Sequence, residues 1–455
     1  MINRILLILV LVSLLPMIGL AQNPIIQSYY TADPAPMVYN GTVYLYTTHD
    51  EDETVNNFFT MYDWRCYSTT DMVNWTDHGA VASLNDFAWS DKTNGAWAPQ
   101  CIERNGKFYL YCPIHGDGIA VLVADSPTGP FFDPLGKRLI DGENIWHDID
   151  PTVMIDDDGQ AYLYWGNPSL FYVKLNEDMI SYDRSIGKDG IVPVAMTTES
   201  FGAKEGRNGK PGTTYTEGPW IYKRNNLYYM IYAAAGIPEY IAYSTAPSAE
   251  GPWTYQGFIM ERADHLAFTN HPGIIDYKGN SYFFYHDQAL SGGEGFKRSV
   301  SVEQFKYNED GTIPLILPTK EGVKESVSNL NPFQKTEAET IAWSEGVKTT
   351  SGNQGVYVTK IENGDFIKVR NVDFGKGAKK FEVAAAALAG GEIEIRLDTK
   401  DGLLLGICEI TNTGDANVWE TFTTNLGKNE GIHDLYFVFK GGDGELFNLD
   451  YWKFN

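Results

Sequence analysis

Short runs of alternating apolar and polar residues, interrupted by Asn-Gly, Asp-Gly or Lys-Gly, fill the chain between about residues 30 and 320. A period of two lays one face of a strand on a core. Asn-Gly and Asp-Gly tolerate the positive φ angles of tight primed turns, so each interruption predicts a β-hairpin. No helical spacing of useful length appears in this stretch. One unit recurs five times: a proline, a turn seven or eight residues later, then an aromatic strand. The copies read DPAPMVYNGTVYLY from Asp33, APQCIERNGKFYLY from Ala98, DPTVMIDDDGQAYLY from Asp150, EGPWIYKRNNLYYMIY from Glu217 and HPGIIDYKGNSYFFY from His271.

Successive prolines (Pro34, Pro99, Pro151, Pro219 and Pro272) lie 65, 52, 68 and 53 residues apart, room for about four short strands per copy. Five such units arranged radially make a five-bladed β-propeller. Near Asn331 the pattern changes to short alternating strands, such as Ile393 to Leu397 and Leu435 to Phe439, separated by Gly390-Gly391 and Gly441-Gly442. The fold expected is therefore all-β, a propeller over 22–325 followed by a β-sandwich (jelly-roll) over 331–455.

The net charge of −24 makes nucleic acid and anionic membranes poor partners and favours a neutral ligand. The 28 tyrosines and 11 tryptophans suit strands and offer flat faces to sugars. Residues 1–21 read as a secretion signal: Arg4, an apolar run from Ile5 to Leu20, and small residues at Gly19 and Ala21. A secreted or periplasmic monomer, not inserted in a membrane, is the expectation. Cys66, Cys101, Cys112 and Cys408 lack metal-binding spacing and read as small buried hydrophobes, with a Cys101–Cys112 bridge left open.

The inner strand of every blade begins near the propeller axis, so the residue before each repeat proline points into one shared funnel. That position holds Asp33, Ala98, Asp150, Gly218 and His271, with Glu217 one residue away. An Asp before Pro can merely cap a turn. Three acids at matching places of three blades call for chemistry. Paired carboxyls suit glycosidic cleavage, one protonated to donate and the other acting as base or nucleophile. A third carboxyl raises the acid's pKa by like-charge repulsion.

These segments, with GFKRSVSVEQF, resemble glycoside hydrolase family 43, particularly its arabinoxylan arabinofuranohydrolase branch, over most of residues 30–320. The resemblance implies an inverting enzyme with Asp33 as general base, Glu217 as general acid and Asp150 as modulator of the acid's pKa. Inversion needs a water between base and sugar, hence carboxyls about 6.5–9.5 Å apart. It further implies that Arg298 reaches the sugar and that His271 stands at the axis, on a calcium ion or as a plain hydrogen-bonding group. Trp97 and Trp165 are candidate apolar walls for the sugar ring. The chemistry itself requires no cofactor.

The C-terminal region, through KTEAETIAWSEGVKT, GVYVTKIENGDFIKV and GELFNLDYWKF, resembles a family 6 carbohydrate-binding module. That likeness implies sugar binding by Tyr357, Trp419 and Asn448, and a structural calcium at Glu337, Glu339 and Asp450. The segment DANVWETF around Trp419 departs from the family pattern. The expected activity is α-L-arabinofuranosidase on arabinoxylan or xylan of the plant cell wall. β-D-xylosidase, a bifunctional enzyme, and a non-catalytic polysaccharide-binding protein are the alternatives.

Overall fold

The computed structural model describes residues 22–140, 147–205, 211–263 and 266–455; the expected secretion signal lies outside them. Five antiparallel blade sheets, one for each repeat, follow one another along the first 305 residues, with a small pair, Ala203–Glu205 on Pro211–Thr213, between the third and fourth. Blade 1 comprises Tyr30–Tyr39, Thr42–Asp50, Asp63–Thr69 and Trp75–Ser83. Blade 2 is built from Gln100–Arg104, Lys107–Ile114 and Gly118–Ala124. Blade 3 carries Thr152–Ile155, Ala161–Trp165, Phe171–Leu175 and Val192–Pro193. Blade 4 carries Tyr215–Arg224, Leu227–Ala234, Tyr240–Ala246 and Thr254–Met260. Blade 5 consists of Gly273–Tyr277, Asn280–Asp287 and Ser299–Phe305.

The turn residues act as their chemistry requires. Asn40, Asn105, Asn225 and Lys278 adopt φ of 47°, 54°, 54° and 47°, each opening a two-residue hairpin connection. Blade 3 differs: Ile155 pairs with Ala161, so Asp158-Gly159 sits within a five-residue loop.

Two blades depart from the expected four strands. In blade 2 the outer position holds only isolated bridges, Val123 to Phe132 and Ile119 to Ile140. In blade 5 the N-terminal segment takes that place, Ile25 N donating to Val300 O at 2.9 Å and Asn23 clasping Val302 through its side-chain amide. The ring thus closes by joining its first residues to its last blade.

The sandwich begins at Thr336 and packs two sheets around Val369, Phe437 and Trp452. Its strand Thr340–Ile341 does not stay within the sandwich. It pairs with Trp75–Ser83 and becomes a fifth strand of blade 1. Arg370 reinforces the joint, donating to Gln22 Oε1, Val323 O and Lys324 O. All four cysteines are buried free thiols, and Cys101 pairs with Leu110 rather than Cys112.

Candidate active site

Three residues on the repeat's axial position have left-handed backbone: Asp33 (φ 52°), Asp150 (φ 58°) and Gly218 (φ 58°). For an Asp followed by Pro this conformation costs on the order of 1–3 kcal/mol. Such strain persists only where surrounding contacts hold it, as they do here. Bulges on both sides aim the acids: the register slips between Ala32 and Ala35 in blade 1, and between Tyr215 and Trp220 around Glu217 in blade 4.

Asp33, Asp150 and Glu217 line one cavity of about 310 Å³, together with Trp97, His271 and Arg298. Six of the seven expected catalytic and sugar-contact residues of the propeller therefore share one cavity, and Trp165 is the exception. It is fully buried in blade 3, donates its indole N–H to Asp148 Oδ1 at 2.8 Å, and stacks on Phe171. Trp97 does face the cavity, stacked on His115 at 3.8 Å.

Asp33 is buried beside one guanidinium and a hydroxyl donor. Arg298 donates to its two oxygens at 3.1 and 3.3 Å, and Thr48 Oγ1 donates at 2.9 Å. Burial pushes its carboxyl up, but Arg298, His286 and His271 outweigh it and hold the group below the usual carboxylate range. Arg298 is held in turn by Asp50, which accepts from its Nε at 2.8 Å and its second terminal nitrogen at 2.9 Å. The guanidinium lies 4.6 Å from the Phe59 ring centroid.

Glu217 is half-buried, its open side on the cavity. Burial and then the Asp33 charge push its carboxyl up to about 7, against the opposing hydrogen bond from Asn167. Asp150 accepts from Gly218 N at 3.0 Å, and burial followed by Glu217 and Asp33 raises it well above its ordinary value. Asp33 and Asp150 both face Glu217 as like charges, since the repulsion between Glu217 and Asp150 acts on both carboxyls, and Asp150 in addition holds the backbone beside the acid.

His271 and His286 are buried, and burial lowers both imidazoles, to about 4 and about 3. Asp33 N–H donates to His286 Nδ1 at 3.2 Å, so His286 Nε2 carries the proton given to Thr269 O at 2.9 Å. His271 Nδ1 is 3.8 Å from Asp33 Oδ1. A hard cation needs an oxygen cage, and Asp33 is already committed to Arg298 and Thr48. The side chains around His271 therefore do not fit a calcium site.

In the module, Glu339 Oε2 is buried without a hydrogen-bond partner, and burial with Glu337, Asp77 and Asp450 nearby raises its carboxyl to about 9. An orphaned carboxylate oxygen beside other acids has the chemistry a hard cation takes, and Glu337, Glu339 and Asp450 are the residues that would hold one. Tyr357 and Trp419 meet edge to face at 5.2 Å, and Asn448 donates to Ala416 O. The three expected sugar-binding residues are neighbours, but the two rings touch each other and leave no slot for a sugar between them.

Asp50, Asn167, Asn270 and His286 lie outside the positions that the repeat aligns. The paired signal was there in THDE and FFYHD, where polar residues end otherwise apolar strands.

The profile described as Glycosyl hydrolases family 43 matches residues 21–313, and that of Carbohydrate binding module (family 6) matches 337–455. An arabinoxylan arabinofuranohydrolase of Bacillus subtilis is 34% identical, the alignment covering 95% of this chain and 92% of that protein. A xylosidase/arabinosidase of Bacteroides ovatus is 32% identical over 62% of this chain and 94% of its own. Among solved structures, a Bacillus subtilis arabinoxylan arabinofuranohydrolase in complex with cellotetraose superposes with a TM-score of 0.82 at 33% identity, covering 96% and 98% of the two chains.

Proposed function

Because the chain belongs to glycoside hydrolase family 43 and ends in a family 6 carbohydrate-binding module, we propose that it is a secreted, inverting α-L-arabinofuranosidase that removes arabinose side chains from arabinoxylan. The observation that carries this reading is the electrostatic split within one cavity. Asp33 is held low and Glu217 is held high, so at neutral pH one is a carboxylate while the other retains a proton.

Each then has one task. Asp33 takes a proton from a water that attacks the anomeric carbon, and Glu217 gives its proton to the departing glycosidic oxygen as the C–O bond breaks. Asp150 fixes the main chain at Gly218 and thereby the direction of Glu217. Arg298 holds the base and stands ready for sugar hydroxyls at the cavity wall. A cavity of about 310 Å³ suits a single pentose, which supports removal of terminal units.

The arabinose assignment is supported by the relatives that match both domains, which bear arabinofuranohydrolase names. A β-D-xylosidase or bifunctional activity is the second reading, favoured by relatives matching about two thirds of this chain. Export is supported by Arg4 and the apolar run that follows. A structural calcium at Glu337, Glu339 and Asp450 belongs to the same proposal, supported by the orphaned Glu339 oxygen.

The test is pentose release from arabinoxylan and from aryl pentosides by wild type and Glu217→Gln, with the first-formed anomer read by NMR. Arabinose released by wild type, with inversion and with strong loss in the variant, supports the reading. Xylose release, or equal rates in both proteins, defeats it.

A further inference from the structure

A fourth carboxyl group stands behind the cavity wall. Glu239 precedes the third strand of blade 4 and is 2% exposed. Its backbone N–H donates to Phe268 O at 3.0 Å, and its Oε2 accepts from Asn270 N at 2.8 Å. Glu239 therefore grips the segment 268–271 from the blade 4 side at two points.

That segment is also held from the other side. Thr269 O accepts from His286 Nε2 at 2.9 Å, and His286 Nδ1 accepts from the backbone N–H of Asp33 at 3.2 Å. Asn270 Oδ1 accepts from His271 N at 2.9 Å, and His271 lies 3.8 Å from Asp33. Thr269, Asn270 and His271 all line the cavity. The Nδ2 group of Asn270 is buried without a partner, as is Glu239 Oε1.

We propose that Glu239 is a positioning residue for the reaction: its hydrogen bond to Asn270 sets the segment that carries His271 and, through His286, the backbone of Asp33. This rests on the proposed glycosidase activity. Glu239 touches neither base nor acid, and it acts across the seam between blades 4 and 5. Burial, followed by the charges of Glu217, Asp150 and Asp33, raises its carboxyl well above the ordinary range. An amide of the same length keeps an acceptor for the Asn270 N–H and should therefore replace it.

The experiment compares the full chain with Glu239→Gln and Glu239→Ala. Displacing a catalytic group by about 1 Å costs about 100-fold, so Glu239→Ala should lose about that factor in kcat with the acid limb of its pH profile moved. Glu239→Gln, whose amide oxygen still accepts from Asn270, should stay within about threefold with an unmoved profile. In histidine-labelled protein without substrate, 15N spectra should show the His286 tautomer kept by Gln and lost by Ala. Full activity in a folded Glu239→Ala overturns the proposal. A Gln variant as impaired as Ala, or unable to fold, overturns it as well. Lack of pentose release by wild type defeats the activity reading alone, because the histidine spectra report placement without substrate.

Discussion

The backbone amide of Gly218 donates to Asp150 Oδ2 at 3.0 Å, one residue along the chain from Glu217. The third-blade acid therefore steers the fourth-blade acid through the main chain. Glu217 in turn owes its raised pKa first to burial and then to Asp33. Asp150, coupled to Glu217 by charge as well, thus bears on both the direction and the proton affinity of the acid.

Asp150→Asn keeps an acceptor for Gly218 and should fold normally, but it removes the carboxyl that repels Glu217 and should lose about 100-fold in kcat. Asp150→Ala leaves a buried N–H without a partner and should in addition destabilise the protein by about 1–3 kcal/mol. Kinetics alongside thermal unfolding separates the two effects.

Catalysis requires Asp33 ionised and Glu217 protonated, so kcat/KM should describe a bell. The acid limb lies below the ordinary Asp value of about 4, since Asp33 is held low. The alkaline limb falls near the Glu217 value of about 7, and activity drops tenfold per unit above it. Glu217→Gln should abolish the alkaline limb and cost about 10²–10⁴-fold on arabinoxylan.

Arg298 ties Asp33 to Asp50 with both of its edges. Arg298→Lys has a single ammonium and cannot serve both carboxylates. Removing one member of a buried ion pair typically costs about 3–5 kcal/mol. The variant should therefore melt earlier, and its surviving activity should show an acid limb moved to higher pH as Asp33 loses its cation.

The predictable parts of the molecule were those the repeat multiplies. The residue before each proline, and turns such as Asn40-Gly41 and Lys278-Gly279, recur at fixed offsets, so alignment of the copies reveals both fold and acids. Trp165 misleads because the strand Ala161–Trp165 is buried along its whole length and gives no alternation to show which way a side chain points. Asp50 and Glu239 lie where strands end or begin, in segments of unequal length that the repeat does not align. Their partners, Arg298 and Asn270, are 248 and 31 residues distant, and no local pattern announces such pairs.

Glu339 should make stability depend on both pH and calcium. Its folded value of about 9 exceeds the unfolded one, so without a cation its contribution is complete below about pH 4.3 and is lost as pH rises through about 9. Bound calcium would favour the ionised form. Added calcium should therefore raise Tm more at pH 8 than at pH 5, and Glu339→Gln should flatten the difference, as differential scanning calorimetry would show.

Truncation at residue 330 removes the Thr340–Ile341 strand from blade 1 and the Arg370 contacts from Gln22, Val323 and Lys324. An uncovered edge strand invites pairing with other chains. The isolated propeller should melt earlier than the full chain and associate on heating, measured by thermal unfolding with light scattering.

At position 218 an added Cβ would meet His271 Nδ1 at 3.2 Å, on backbone already turned to φ 58°. An aspartate like those of blades 1 and 3 would press against the imidazole there. Blade 4 instead offers its acid one place earlier, on the longer glutamate stem. The ring therefore has two short arms and one longer arm, whose carboxyl Asn167 meets with a hydrogen bond. That inequality suits the task, since a proton donor must follow a departing oxygen while a base must wait beside a fixed water.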